Sequence, residues 1–296
     1  MKVRFTKMHG SGNDFIIVNE FDNILIPIER KKDFVSKISD RHLGVGSDGV
    51  IFVQKSGRYD AKFSFYNPDG TEAEMCGNGI RCFARYVYEK GIVRKKIIDV
   101  ETLAGVIRPE LVIEKEKVKE VRVDMGCPRL KRGEIPLTGD PDANFIDQEV
   151  KINGHIYRIT AVGMGNPHAV LFCDDIEKID VRGIGSRIRY YTELFPNGTN
   201  VHFVQKVEDN EFKIRTYERG VEDETLACGT GICASAVATV LNKLANIKEV
   251  VKFHARGGDL KVKFDADNGK ISRVYLIGDA VFVFEGEIGS EYLYEL

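Results

Sequence analysis

The sequence predicts an α/β chain (α+β in layout) made of two pseudo-symmetric halves, and three repeated segments predict it. Glu72-x-x-x-Cys76-Gly77-x-Gly79-Ile80 returns as Glu224-x-x-x-Cys228-Gly229-x-Gly231-Ile232, with Ala84 matching Ala236, at an offset of 228 − 76 = 152. Gly12-Asn13 before DFIIV is matched by Gly165-Asn166 before PHAVL, at 166 − 13 = 153. VIFVQK, ending at Lys55, is matched by VHFVQK, ending at Lys206, at 206 − 55 = 151. Three matches in one order at a nearly constant offset indicate internal duplication. Halves that merely stabilise each other would not need reactive cysteines, but the repeated element is a thiol beside small residues, not an apolar core pattern.

In chain order, KVRFTKM and DFIIVN read as strands, and residues 32–42 as a surface helix. GVIFVQK and AKFSFYN read as strands around Ser56-Gly57, and Asn67-Pro68-Asp69-Gly70 as a turn. The first buried helix is expected from Gly77 to Lys90, with Gly91 as its stop. KIIDVETLAGVIRPELVIE and KEVRVDMG supply further strands. The second half repeats this alternation, with HIYRITAVGMG, HAVLFC, NVHFVQKV and EFKIRTYERG as strands and turns, and a surface helix over residues 182–191. GICASAVATVLNKLA reads as the second buried helix, and VVKFHA, DLKVKF and VYLIGDAVFVFEGEI as strands.

The 296 residues suffice for one large or two moderate cores. A composition 43% hydrophobic and 30% charged is that of an ordinary soluble protein. The formal net charge of −2 and scattered Lys and Arg give no general reason to bind nucleic acid. The N-terminal stretch lacks a signal-peptide pattern, and no apolar run is long enough for a membrane span. A cytoplasmic protein with neither a nucleic-acid nor a membrane partner is expected. The six cysteines are too few for a disulfide scaffold, and Cys82, Cys173 and Cys233 lie among apolar residues, as core thiols would.

Cys76 and Cys228 stand at the predicted entrances of the buried helices. A helix N-terminus offers unpaired N–H groups and partial positive charge, which lower a thiol's pKa. Gly-x-Gly after each cysteine leaves the backbone open, so the same N–H groups can hold a substrate carboxylate. Asn78 and Thr230, between the glycines, can add hydrogen bonds. Two thiols facing one pocket suit removal of a proton from one side of a carbon and delivery to the other, with one thiolate and one thiol at the start. No Schiff-base lysine is marked. GVGSDGV is not a dinucleotide fingerprint, CGNGIRC lacks the lysine of a P-loop, and Cys76 and Cys82 have no familiar zinc spacing. Neither cofactor nor metal is expected.

At this point the sequence resembles the diaminopimelate epimerase family. The likeness rests on an ordered set spanning nearly the whole chain: MHGSGNDF at 8–15, RHLGVGSDG at 41–49, YNPDGTEAEMCGNGIRCFARY at 66–86, GMGNPHAV at 163–170, PNGTNVHF at 196–203, YERGVEDETLACGTG at 217–231 and FEGEI at 284–288. The resemblance implies that each half wraps a curved, mostly antiparallel sheet around a central helix. It also implies an N-terminal half over 1–122, completed by a returning strand in 278–296, and a C-terminal half over 123–277. The implied activity is interconversion of LL- and meso-2,6-diaminoheptanedioate without pyridoxal phosphate, in lysine and cell-wall precursor biosynthesis. Cys76 and Cys228 match the paired acid and base, and Gly77-Asn78 and Gly229-Thr230 the clamp on the reacting carboxylate. Asn13, Asn67, Asn166, Asn200, Glu218 and Arg219 match substrate contacts. His168 falls on the histidine of the GNPH segment, either as a packed imidazole or in catalysis. Arg219 can grip a distal carboxylate bidentately, and Glu218 can pair with an ammonium. Gly49 stands where some members carry glutamine, which puts one peripheral contact in doubt.

Three other readings compete. A proline racemase-like enzyme also uses paired cysteines but needs no distal clamp. A redox protein would join the two thiols, yet no Cys-x-x-Cys occurs. A pure binding module would do no chemistry. A homodimer is compatible with the sequence, and no stretch demands one.

Overall fold

The computed structural model describes residues 2–289, 291 and 292. In chain order the first elements are β1 (Val3–Gly10), β2 (Asn13–Glu20), α1 (Ile28–Ser39), β3 (Val50–Gln54), β4 (Ala61–Tyr66), β5 (Glu72–Ala73), α2 (Gly77–Glu89), β6 (Val100–Thr102), β7 (Gly105–Ile107), β8 (Glu110–Glu114) and β9 (Lys117–Asp124). Then follow β10 (Gln148–Ile152), β11 (His155–Gly163), β12 (Pro167–Phe172), α3 (Val181–Arg189), β13 (Asn200–Glu208), β14 (Glu211–Glu218), β15 (Asp223–Thr225), α4 (Gly229–Leu241), β16 (Val251–Ala255), β17 (Gly258–Asp267), β18 (Lys270–Gly278) and β19 (Val281–Ile288). The chain divides into two compact units. One runs to Val123 and resumes at Gly278; the other is Asp124–Ile277. Of the segment 278–296, residues 290 and 293–296 lie outside the described residues.

The N-terminal unit orders its strands β19-β1-β2-β3-β4-β6-β7, with β5 beside β4. The C-terminal unit contains the run β10-β11-β12-β13-β14-β16-β17-β18, with β15 beside β14. Strand directions repeat as well. β2 and β3 are parallel, as are β4 and β6. In the second unit β12 and β13, and β14 and β16, are the parallel pairs. The remaining pairs along β1 to β7 and β11 to β17 are antiparallel.

Helices cover both faces of each sheet, which explains the continuous apolar runs in the central strands. Val50 and Phe52 of β3 pack with Phe34, Val35 and Ile38 of α1. The alternate residues Ile51 and Val53 are equally buried on the other face, where α2 packs against β1 to β4. In the second unit Ala169, Leu171, Val201 and Phe203 pack with Val181 and Ile188 of α3, while Val170 and Val204 pack with Ile232, Ala236 and Val237 of α4. Residues Gly231 to Thr239 of α4 are all buried. A helix apolar on every side belongs inside a domain.

The sequence-based boundaries shift in places. The surface helix expected over 32–42 is Ile28–Ser39, starting behind Pro27, whose missing N–H is harmless there. The helix expected over 182–191 is Val181–Arg189, where Asp180 accepts the Gly183 N–H. The helix α2 ends at Glu89, and Gly91 follows in the left-handed region at φ 74°. Cys173 is half-buried, not fully in the core, because it lies just past the end of β12; Cys82 and Cys233 are buried.

Candidate active site

In the N-terminal unit Cys76 is the N-cap of α2, with extended backbone at φ −138° and ψ 119°. Its Sγ accepts the N–H of Gly79 at 3.4 Å, a hydrogen bond from cap to third helical residue. A Cβ on Gly79 would be tightly packed, 3.3 Å from the Cys76 Cβ and 3.4 Å from Ile51 and Phe63. The second glycine of Cys-Gly-x-Gly thus allows the thiol to fold back over the helix end.

Asn13 stands beside this cap. Its Oδ1 accepts from Cys76 Sγ at 3.8 Å and from Asn78 Nδ2 at 3.4 Å. Its Nδ2 donates to Asp48 Oδ2 at 2.7 Å. An ionised carboxylate only accepts, so Asp48 sets which way the Asn13 amide faces. Asp48 is itself held by Arg41. Next to it, burial tends to raise the Asp14 pKa, but hydrogen bonds from Arg41 and Lys7 outweigh that and hold it at about 2. Asn78 Oδ1 accepts from Arg81 Nη1 at 2.9 Å. The fully buried Arg81 also reaches Ser11 Oγ and the carbonyl of Asp279, tying the β1–β2 turn and the returning segment to the start of α2. Asn67 lies in the turn after β4, where its Nδ2 donates to Thr71 Oγ1 at 3.1 Å.

Cys228 is the N-cap of α4, at φ −123° and ψ 110°, and is almost fully buried. Its Sγ meets Thr230 Oγ1 at 3.6 Å. Asn166 Oδ1 and His168 Nε2 are 2.7 Å apart, and His168 Nδ1 is 2.8 Å from His202 Nε2. The His202 ring packs under α4, where a Cβ on Gly231 would run into it. Burial, then His202 and Arg219, push the His168 pKa well below its ordinary value, and burial pushes His202 down to about 3. Both imidazoles are neutral. Asn200 staples two strands, its Nδ2 donating to the Pro167 carbonyl at 3.1 Å and its Oδ1 accepting the Arg219 N–H at 2.9 Å. Arg219 Nη1 donates to the Asn197 carbonyl at 2.8 Å, and among the described residues no carboxylate pairs with it. Glu218 accepts from Thr225 Oγ1 at 2.9 Å, and burial raises its pKa.

Each unit therefore gathers part of the expected set. Asn13, Cys76, Gly77 and Asn78 are linked around one helix start, whereas Asn67 sits in its own turn. Cys228, Gly229 and Thr230 form the other helix start; Asn166 is joined to His168, and Asn200 to Arg219. Sequence reasoning did not single out Asp48, Arg81, His202 or Thr216, although the first three lie inside the quoted motifs. At Gly49 a Cβ would meet the Phe65 ring and come within 2.7 Å of the Tyr66 carbonyl, so glycine is sterically required here. Burial pushes the Cys82 thiol up to about 12 and that of Cys173 to about 11, so neither ionises near neutral pH. Among the described residues no group of three or more His, Cys, Asp or Glu could hold a metal ion, and no helix is long and apolar enough to cross a membrane.

The family model described as diaminopimelate epimerase matches residues 5–131 and 160–283. The chain is 45% identical over 287 residues to the diaminopimelate epimerase of Heliobacterium modesticaldum, covering 97% of this chain and 99% of that one. Among solved structures it is similar to a Bacillus anthracis phenazine biosynthesis protein of the PhzF family, with a TM-score of 0.70 at 16% identity over 98% of this chain and 99% of that one. It is also similar to a probable proline racemase from Agrobacterium radiobacter, with a TM-score of 0.67 at 15% identity over 97% and 93% of the two chains. These two likenesses show a shared fold.

Proposed function

The chain belongs to the diaminopimelate epimerase family, and we propose that it interconverts LL- and meso-2,6-diaminoheptanedioate without a cofactor, using Cys76 and Cys228 as a two-base pair. One thiolate takes the α-proton and becomes a thiol. The electron pair of the broken C–H bond stays on the α-carbon and spreads into the adjoining carboxylate. The other thiol delivers its proton to the opposite face and becomes the thiolate. Backbone N–H groups of Gly77-Asn78 and Gly229-Thr230 hold the carboxylate on which charge develops. The observation that carries this reading is a cysteine as N-cap of the buried helix in each half, followed in both by Gly-x-Gly.

The distal amino-acid end falls to Arg219 and Glu218, and the asparagines Asn13, Asn67, Asn166 and Asn200 supply the remaining neutral donors and acceptors for the substrate. The raised pKa of Glu218 reflects lost hydration, which a substrate ammonium would replace with a direct ion pair. The test is epimerisation in deuterium oxide: one solvent deuteron should enter the α-carbon of diaminopimelate at each inversion. Inversion of proline with none of diaminopimelate would overturn this substrate assignment. A homodimer is proposed as well, because β19 lies at the end of its sheet with Val283 53% and Phe284 48% exposed. Sedimentation equilibrium should then give twice the chain mass of 33.3 kDa; the single-chain mass would end that proposal.

A further inference from the structure

Three buried polar side chains sit side by side on β12, β13 and β14: His168, His202 and Thr216. Thr216 Oγ1 is 2.9 Å from His202 Nδ1, His202 Nε2 is 2.8 Å from His168 Nδ1, and His168 Nε2 is 2.7 Å from Asn166 Oδ1. The terminal amide oxygen can only accept. His168 therefore carries its proton on Nε2 and accepts at Nδ1. His202 must then donate from Nε2 and accept at Nδ1, and the Thr216 hydroxyl supplies that last proton. Every hydrogen bond in the chain points the same way.

The duplicated half provides an internal control. Val170 pairs with His202 and His202 with Thr216, just as Ile17 pairs with Ile51 and Ile51 with Phe65. His168 precedes Val170 by two residues, as Phe15 precedes Ile17. The counterparts of His168, His202 and Thr216 are thus Phe15, Ile51 and Phe65, all buried and apolar. Even the helix contact corresponds: Gly79 of α2 lies over Ile51, and Gly231 of α4 over His202. The same position in the fold is thus filled by hydrocarbon in one half. Two imidazoles buried there need hydrogen bonds to offset their lost hydration, a requirement hydrocarbon does not have, so packing alone gives no reason for them.

That purpose lies at the end of the chain. Asn166 is the counterpart of Asn13, and the two amides are held in opposite senses. Asn13 is gripped by its NH2 group, through Asp48, and turns its oxygen toward Cys76 and Asn78. Asn166 is gripped by its oxygen. We infer that Thr216, His202 and His168 form a hydrogen-bond chain that holds the Asn166 amide by its oxygen and leaves its NH2 group as the donor offered to substrate, which makes His202 and Thr216 positioning residues. This rests on the epimerase reading and on Asn166 as a substrate contact. The low pKa of His168 agrees with it, since a second proton on that ring would leave two donors, His168 Nδ1 and His202 Nε2, facing each other.

The test has two arms on the full chain. In protein labelled with 15N-histidine, ring proton–nitrogen correlations should show His168 and His202 neutral and protonated at Nε2. A proton on Nδ1 of either, or a charged ring, overturns the chain whatever the activity. For kinetics, His202→Ile introduces the side chain that the other half uses, so folding should be retained. It should lower kcat/KM for diaminopimelate about tenfold, the scale of one lost buried hydrogen bond, mainly through KM. In an Asn166→Ala background the same change should cost nothing more, because the two act in series. Thr216→Val leaves His202 Nδ1 without its donor, so the resonance of that nitrogen should move while the proton stays on Nε2, and kcat/KM should fall; Thr216→Ser should restore both. An unchanged kcat/KM in His202→Ile, or the same fold-loss with and without Asn166, overturns the positioning role. No epimerisation by the wild type would remove the epimerase reading, and the positioning role with it; the ring correlations would still decide the chain.

Discussion

Cys76→Ser and Cys228→Ser should each lower epimerisation by about a thousandfold, within the 10²–10⁴ range of a positioned acid or base. A serine hydroxyl has nearly the volume of the thiol but ionises far above neutral pH, so the cap survives while the base is lost. The two halves of the reaction should then separate. Each variant retains one thiol, and that thiol can still exchange the α-proton on its own face. Turnover and deuterium exchange, measured from each stereoisomer, should show exchange without inversion, with the preferred isomer reversed between the variants. Inversion at near wild-type rate in either variant would remove that cysteine from the mechanism. Cys82 and Cys173 cannot substitute, because burial keeps their protons on at neutral pH.

Arg219→Ala should cost about 2–5 kcal/mol in kcat/KM for diaminopimelate, the range for removing one partner of a buried charged pair. The local backbone should survive, because Asn200 binds the Arg219 N–H and not its side chain. The guanidinium is lost together with its bond to the Asn197 carbonyl. Arg219→Lys keeps the charge but not the planar fork, and should fall between wild type and the alanine variant. Alkylation rates of Cys76 and Cys228 should be unchanged in both, since the guanidinium acts on the far end of the substrate. An unaltered kcat/KM in Arg219→Ala would refute the clamp.

Much of the architecture was legible because its signals are local. Cys-Gly-x-Gly marks a helix start within four residues, and the structure places both cysteines at N-caps. Gly91 marks a stop by its own backbone angle. The strands β5, β10 and β15 were not legible, since EA, QEVKI and DET are short and, unlike the equally short VIFVQ of β3, lack an apolar run. The contacts of Asp48, Arg81 and His202 were not legible either. They depend on strand register and reach residues 35, 70 and 34 positions away. One trace of them was present. VIFVQK and VHFVQK differ at a single position, and that position is Ile51 in one half and His202 in the other.

The pairing of β1 with β19 brings Val3 beside Ile288, at opposite ends of the chain. During synthesis on a ribosome this bond pattern must wait until β19 has been made, and until then β1 remains an open sheet edge. The unit Asp124–Ile277 has no such dependence, because it is one continuous stretch. The half that is made first is the half that is finished last.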